Sequence, residues 1–276
     1  MTRRSDCERY LDQFGPDGLI AVLRDWVTEQ RLGRIDDVLE HRIQHLTVAV
    51  VGLYDPHNGA AVIRTCEGMG LSDVHAADEQ GEPMVVSHKV ALGGHKWLSI
   101  HRHPTFEALL AELKPQGFAL WAAVPGSPTQ MNSVEGRDRS STEGATDSFP
   151  GALVDVRNVP VEGPLALVFG NERDGLSPDV IARCDGRFSL PMWGFTASYN
   201  LSVSVGMALQ AVVPRFRQVM GRNGDLSPEA KRDLRARWLF SMVRAAAQIL
   251  DRARADRSEK FPDGATLAAA KGTDNQ

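Results

Sequence analysis

The chain has 276 residues, enough for one large core with flanking helical segments but a tight fit for two fully independent domains. Hydrophobic residues make up 42% of it and charged residues 24%; no apolar run nears the ~20 residues of a membrane-spanning helix, and the charged start MTRRSDCERYLDQFG is unlike a signal peptide, so a cytoplasmic protein is expected. The net charge of −4 would exclude a polyanionic partner if it were evenly spread, but residues 215–257 carry eleven Lys and Arg against five Asp and Glu, a local +6 that leaves −10 for the remainder.

Residues 1–45 read as an N-terminal helical arm. Leu19, Val22, Leu23, Trp26 and Val27 share one helical face and Ile35, Val38, Leu39 and Ile43 a second, the pattern of two short helices. LTVAVVGL (46–53) is a β-branched run typical of a strand buried on both faces. HNGAAVIRTCEGMG then predicts a helix ending at Gly68 or Gly70, DVHAAD a strand, TFEALLAEL a helix closed by Lys114, Pro115 and Gly117, and FALWAAV a third strand. Residues 125–163 are rich in Ser, Thr, Gly, Pro and acids and predict a mostly exposed, partly mobile polar insertion. LALVFG resumes the sheet, Ser177-Pro178 starts a short helix, RFSLPM is the last strand, and the helix after Asn200 is expected to kink or stop at Pro214. Residues 222–260 predict a basic helix from Ser227-Pro228, with Leu234, Trp238, Met242, Ala245 and Ile249 along one stripe, and residues 261–276 a disordered tail. Alternating strands and helices over 46–221 argue for an α/β domain with a parallel sheet.

Cys7, Cys66 and Cys184 are odd in number and too far apart for a CxxC or zinc knuckle, so reduced thiols are expected. His41 and His45 have metal-pair spacing but Arg42 stands between them in place of a zincin glutamate, and they read as surface histidines, as do His101 and His103; no metal is expected. Asp55-Pro56-His57-Asn58 occupies the place of a GxGxxG dinucleotide loop, and neither a Walker loop nor a GxSxG elbow occurs.

Polar clusters follow three strands: DPHNGAAVIRTCEGMG, FGNERDGLS and the Ser198-Tyr199-Asn200 stretch of LPMWGFTASYNLSVSVGMALQ. Each has a bland reading. Asn58 or Ser198 would serve as a helix cap, Arg64 as half of a salt bridge, and Glu172 and Arg173 as a mutual pair. A cap needs one polar side chain, however, and parallel sheets gather ligands outside the C-terminal ends of their strands, so three such clusters suggest one shared site.

PHNGAAVIRTCEGMGLSDVH, LALVFGNERDGLSPDVI and LPMWGFTASYNLSVSVGMAL, in this order, resemble the three motifs of the SpoU, or TrmH-like, RNA ribose 2'-O-methyltransferases over about residues 46–213, and the flanks resemble the tRNA branch. The resemblance implies a SPOUT-type α/β domain with a C-terminal trefoil knot, a homodimer, and S-adenosylmethionine as methyl donor. Small residues such as Ser202, Ser204 and Gly206 would then allow close helix approach. It implies Asn58, Arg64, Glu172, Ser198 and Asn200 as catalytic, and Ala123, Gly170, Leu190 and Ser198 as cofactor-binding. Arg64 is weighted as phosphate anchor and orienter of the 2'-hydroxyl, because a guanidinium is too basic to take its proton readily. Arg235, Arg237 and Arg244 are the expected RNA contacts. The implied activity is methylation of guanosine 18 in the tRNA D-loop; the alternatives are a ribosomal RNA methyltransferase and a catalytically silent RNA-binding protein. Tyr199 departs from the family's leucine, and the 125–163 insertion is longer than the family's pattern.

Overall fold

The computed structural model describes residues 3–78, 93–126 and 153–260. Most of the expected polar insertion and the 261–276 tail lie outside these. The chain forms two compact units, residues 40–226 and a second made of residues 1–39 with 227–276.

The larger unit is built on a seven-stranded parallel sheet: β1 (Leu46–Val51), β2 (Asp73–Ala77), β3 (Ser99–His103), β4 (Ala119–Ala123), β5 (Leu153–Asp155), β6 (Leu165–Phe169) and β7 (Gly186–Ser189), in the order β3-β2-β1-β6-β4-β7-β5. The central pair β1 and β6 is buried along its whole length, as the apolar runs require. Leu46, Val48 and Val50 of β1 and Leu165, Leu167 and Phe169 of β6 point into one core layer; Ala49, Val51, Ala166 and Val168 point into the other. Helices α3 (Pro56–Gly68) and α6 (Leu201–Met220) cover the first face and pack on each other, while α4 (Phe106–Leu113) and α5 (Pro178–Ala182) contribute to the second.

Two strands were not foreseen. SIHRH of β3 has no apolar run, and β5 is three residues long inside the stretch read as insertion. Both are edge strands, which receive less burial and therefore carry less apolar signal. The expected exposure of 125–163 is corrected at its C-terminal end, where Val156, Val159 and Val161 enter the core. Pro214 neither stops nor breaks α6: the helix loses only the bond that a backbone N–H at 214 would make to Gln210, an exposed residue, and it runs on to Gly221, whose left-handed φ of 66° closes it.

Two buried polar side chains hold the start of the sheet. Arg42, 1% exposed, donates from Nη1 to the Leu71 carbonyl (2.6 Å) and from Nη2 to Glu67 Oε1 (2.8 Å), tying the segment before β1 to the end of α3. Burial lowers its pKa and Glu67 opposes the shift. Asp225, just past α6, accepts the backbone N–H of Gln44 (2.5 Å) and His45 (3.1 Å) and faces His45 Nδ1 at 2.8 Å. Residues 41–45 are not helical, so His41 and His45 do not have the side-by-side helical placement that their spacing suggested.

The smaller unit comprises α1 (Arg3–Leu23), α2 (Glu29–Glu40), α7 (Pro228–Met242) and α8 (Ala246–Lys260). Gly15 at φ 66°, followed by Pro16, kinks α1. Tyr10, 1% exposed, donates its hydroxyl to Asp251 Oδ1 (2.9 Å), and Trp238 is buried. The single C-terminal stripe is corrected: Val243 is extended and ends α7, so Ala245 is exposed and the buried positions beyond are Ala246 and Leu250. Trp26, expected on a packed face, is 63% exposed. No helix among the described residues is long and apolar enough to cross a membrane.

All three cysteines are buried thiols outside any disulfide. Burial pushes the Cys184 thiol up to about 12 and Cys66 higher still. At pH 8 a thiol with that pKa is ionised to on the order of 10⁻⁴. Native protein treated with iodoacetamide at pH 8 is therefore expected to leave Cys66 and Cys184 unlabelled by mass spectrometry over hours, whereas protein in guanidinium labels in minutes; rapid native labelling of either would contradict this burial.

Candidate active site

The three polar clusters meet at the C-terminal ends of β1, β6 and β7. Gly52 (φ 67°) turns the chain out of β1, and the Asp55 side chain caps α3 by accepting the His57 N–H at 2.8 Å, with Pro56 at the first helical position. Asn58 is therefore not the cap, and its side chain is free for longer-range work. Its Nδ2 donates to Glu172 Oε1 at 2.7 Å, and its Oδ1 accepts from Asn200 Nδ2 at 3.0 Å. Asn200, not Ser198, caps α6: its Oδ1 accepts the Ser202 N–H (2.9 Å) and hydroxyl (2.7 Å). One chain of hydrogen bonds thus fixes the starts of α3 and α6 and the loop after β6.

That loop is shaped by Asn171, whose Oδ1 accepts the N–H groups of Arg173 (2.9 Å) and Asp174 (2.7 Å), and by Gly175 at φ 69°. A Cβ on Gly170 would lie 2.0 Å from the Gly175 carbonyl carbon, so even alanine there collides with the loop's own backbone. Glu172 and Arg173 do not pair with each other, since Arg173 lies over the Tyr54 ring at 4.8 Å from its centroid. Residues 193–200 after β7 are exposed, and the Tyr199 hydroxyl donates across the bend to the Pro191 carbonyl at 3.3 Å.

Between these loops lies a pocket of about 390 Å³. All four expected cofactor residues, Ala123, Gly170, Leu190 and Ser198, line it, together with Glu172 and apolar walls that include Phe169, Leu176, Phe188 and Met192. Its size and its mixture of apolar walls with a few polar groups suit a nucleoside-sized ligand. Of the expected catalytic set, Glu172 and Ser198 reach the pocket, and Asn58 and Asn200 join it through Glu172. Arg64 stands apart: six residues after Asn58 on α3 it faces another side of the helix, exposed and with no ion-pair partner among the described residues. Asn171 and Ser204 also line the pocket; Asn171 and Tyr54 were not assigned roles from the sequence, and Ser204 was read only as a small residue for helix packing, while for Asn171 the Asn-x-x-Asp-Gly turn pattern was the available signal.

The basic segment is not uniformly free. Arg235 pairs with Asp36 at 2.8 Å, and Arg237 with Glu8 at 2.5 Å and Asp233 at 2.6 Å. Burial alone would lower the Arg237 pKa, and the two carboxylates outweigh it and hold it above its ordinary value. Arg244, between α7 and α8, is exposed, as are Arg252 and Arg254. His41 and His45 are exposed, but His103 is 4% exposed and not the surface residue expected.

Residues 45–210 match the model of the SpoU rRNA Methylase family. The chain belongs to this family. It is similar to a tRNA (guanosine(18)-2'-O)-methyltransferase of Thermus thermophilus (29% identity over 213 residues, 77% of this chain and 97% of the relative). A 23S rRNA (guanosine-2'-O-)-methyltransferase of Haemophilus influenzae is 28% identical over 188 residues, 68% of this chain and 65% of the relative. Among solved structures, the TrmH/SpoU tRNA modifying enzyme of A. aeolicus superposes with a TM-score of 0.61 at 27% identity, covering 78% of this chain and 98% of that one.

The hydrogen-bond chain makes a direct prediction. In Glu172→Gln the amide oxygen still accepts from Asn58, whereas Glu172→Ala leaves Asn58 without its acceptor. The Ala variant is expected to lose about 1–2 kcal/mol of stability and the Gln variant under half of that, by chemical denaturation. Equal losses would show that Glu172 acts by charge or bulk and not as an acceptor for Asn58.

Proposed function

We propose that this protein transfers the methyl group of S-adenosylmethionine to a ribose 2'-hydroxyl of tRNA, at guanosine 18 of the D-loop. The single observation that carries the reading is the joining of Asn58, Glu172 and Asn200, one residue from each motif, beside a pocket lined by all four expected cofactor residues. Ala123, Gly170, Leu190 and Ser198 would hold the adenosyl part, and the pocket's apolar walls and nucleoside size support the fit. When bound, the group supplies an electrophilic sulfonium methyl.

The chain's own residues position the other reactant. Glu172 fixes the Asn58 amide, Asn58 fixes the Asn200 amide, and each amide keeps a second N–H for a ribose oxygen. The exposed Ser198 hydroxyl is a further donor or acceptor at the pocket wall. Orienting the 2'-oxygen in this way lowers the barrier by proximity. Arg64, exposed and without an internal ion pair among the described residues, is suited to anchor an RNA phosphate and orient the hydroxyl. A C-terminal trefoil knot and a homodimer belong to the same proposal. The dimer is supported by exposed apolar side chains at the start of α6, Val203 and Met207 one turn apart on the helix at 48% and 38% exposure and Tyr199 just ahead of its cap at 36%.

Incubation with labelled S-adenosylmethionine and separate tRNA and ribosomal RNA pools, followed by nucleoside analysis, is expected to give 2'-O-methylguanosine in tRNA. Arg64→Ala should lower transfer by about two orders of magnitude while leaving the affinity for S-adenosylhomocysteine within about twofold. Label confined to ribosomal RNA would favour the alternative that the family's description names, and label in neither would favour an RNA-binding protein without catalysis.

RNA attraction is assigned to the exposed part of the basic segment. Because Arg235 and Arg237 are committed to carboxylates, Arg244→Ala combined with Arg252→Ala and Arg254→Ala is expected to weaken tRNA binding and flatten its salt dependence, the slope falling by roughly one for each phosphate that is no longer neutralised. Arg235→Ala should act mainly on thermal stability. Unchanged affinity and slope in the triple variant, measured by fluorescence anisotropy across a salt series, would place the RNA on another surface.

A further inference from the structure

On the second face of the sheet, β2, β3 and the end of α4 gather a cluster that the methyl-transfer reading does not use. Asp73 and His75 lie on β2, His101 and His103 on β3, with His75 opposite His101 in the parallel register, and Glu112 on α4 covers them. The three imidazoles stack, at 4.6 Å between His75 and His101 and 5.3 Å between His75 and His103. His75 Nδ1 and His103 Nε2 face each other at 3.0 Å, with His75 3% and His103 4% exposed.

We propose that His75, His103 and Glu112 form a binding site for a first-row divalent transition-metal ion of the Zn²⁺ class. The three residues each present a ligand atom, all within 4.8 Å of one another. Two imidazole nitrogens on one tetrahedral ion at about 2.0–2.1 Å stand about 3.3–3.4 Å apart, so an ion would take the place of the proton that His75 Nδ1 and His103 Nε2 share at 3.0 Å, with a small separation of the rings. The surroundings are those of a built site. His101 donates from Nε2 to Asp73 Oδ1 at 2.8 Å and places Nδ1 3.3 Å from Glu112 Oε1, a contact that holds the Glu112 carboxylate against the cluster when the ring carries both protons. Glu112 Oε2 lies 3.7 Å from His103 Nδ1, the nitrogen across the ring from the one that faces His75, so its partly exposed side chain has to rotate from this resting contact to reach an ion at Nε2. Burial holds His75 down to about 3 and lowers His103 as well, so both rings are in the neutral, ligating form at physiological pH. A pocket of about 110 Å³ bounded by Gln44, Asp73, His75, His101 and Gln116 opens onto the His75 side of the cluster.

Two nitrogens and one carboxylate select zinc, and with it cobalt or nickel, over magnesium or calcium, which prefer oxygen alone. The ion would fasten α4 to the β2–β3 edge of the sheet. That is a stabilising role, away from Asn58, Glu172 and Asn200, and the inference stands whether or not the proposed activity holds.

The test uses the full chain, stripped with a chelator and dialysed. Calorimetric titration with ZnCl₂ is expected to show about one Zn²⁺ per chain and a raised thermal midpoint, and Co²⁺ a visible spectrum of nitrogen and oxygen ligation. His103→Ala and Glu112→Gln should each weaken binding at least about tenfold. Glu112→Gln removes a partly exposed charge and is expected to keep the native far-UV circular dichroism, so its effect is read even if His103→Ala fails to fold. His41→Ala, on an exposed imidazole, should leave binding unchanged. Absence of stoichiometric Zn²⁺ binding, or binding that Glu112→Gln does not weaken, overturns the site.

Discussion

The hydrogen-bonded run from Asn200 through Asn58 to Glu172 is the constraint on which the active end of the molecule depends. It joins residues 142 and 114 positions apart in the chain and uses both ends of one amide to do so. An aspartate or a leucine at 58 keeps one of these bonds or neither. Because Asn200 is at the same time the cap of α6, the start of the longest helix in the larger unit is set by the same residue that closes the network. Positioning the site and terminating the helix are therefore one event, and the surplus of polar residues before α6 is explained by two tasks falling on one short stretch.

The part of the fold that was legible in the sequence is the part buried on both faces. LTVAVV and LALVF are near-continuous apolar runs because β1 and β6 sit mid-sheet between two helical layers. The edge strands were silent for the converse reason: β3 has one side chain in five that is fully buried, and that one is His103. The histidines were misread with it. Their spacing of two looks like surface scatter until β3 is known to be a strand, when the same spacing puts both on one face beside His75.

In the candidate site, residue types were legible and geometry was not. Motif order picked out Asn58, Glu172 and Asn200, but which asparagine caps which helix depends on Asp55 taking the cap of α3, a local competition that spacing does not decide. Charge was legible only as a sum. Arg235 and Arg237 look available on a helix diagram, and their partners Asp36 and Glu8 come from the opposite end of the chain. Opposite charges remote in sequence cancel in space, so a count over a window overstates the field that a ligand meets.

Asp225 clasps the backbone of Gln44 and His45, which brings the two ends of the larger unit together at one point. A domain whose ends meet is, in its connectivity, an insertion into another, and the smaller unit is accordingly made of the two terminal segments. This has a consequence for synthesis. The N-terminal arm leaves the ribosome before the sheet, but Tyr10 finds Ala247 and Asp251, and Glu8 finds Arg237, only when the first two thirds of α7 and then the start of α8 have been made. The arm must wait, with its apolar face uncovered, while the whole sheet is translated, and the order of folding runs from the middle of the chain outward.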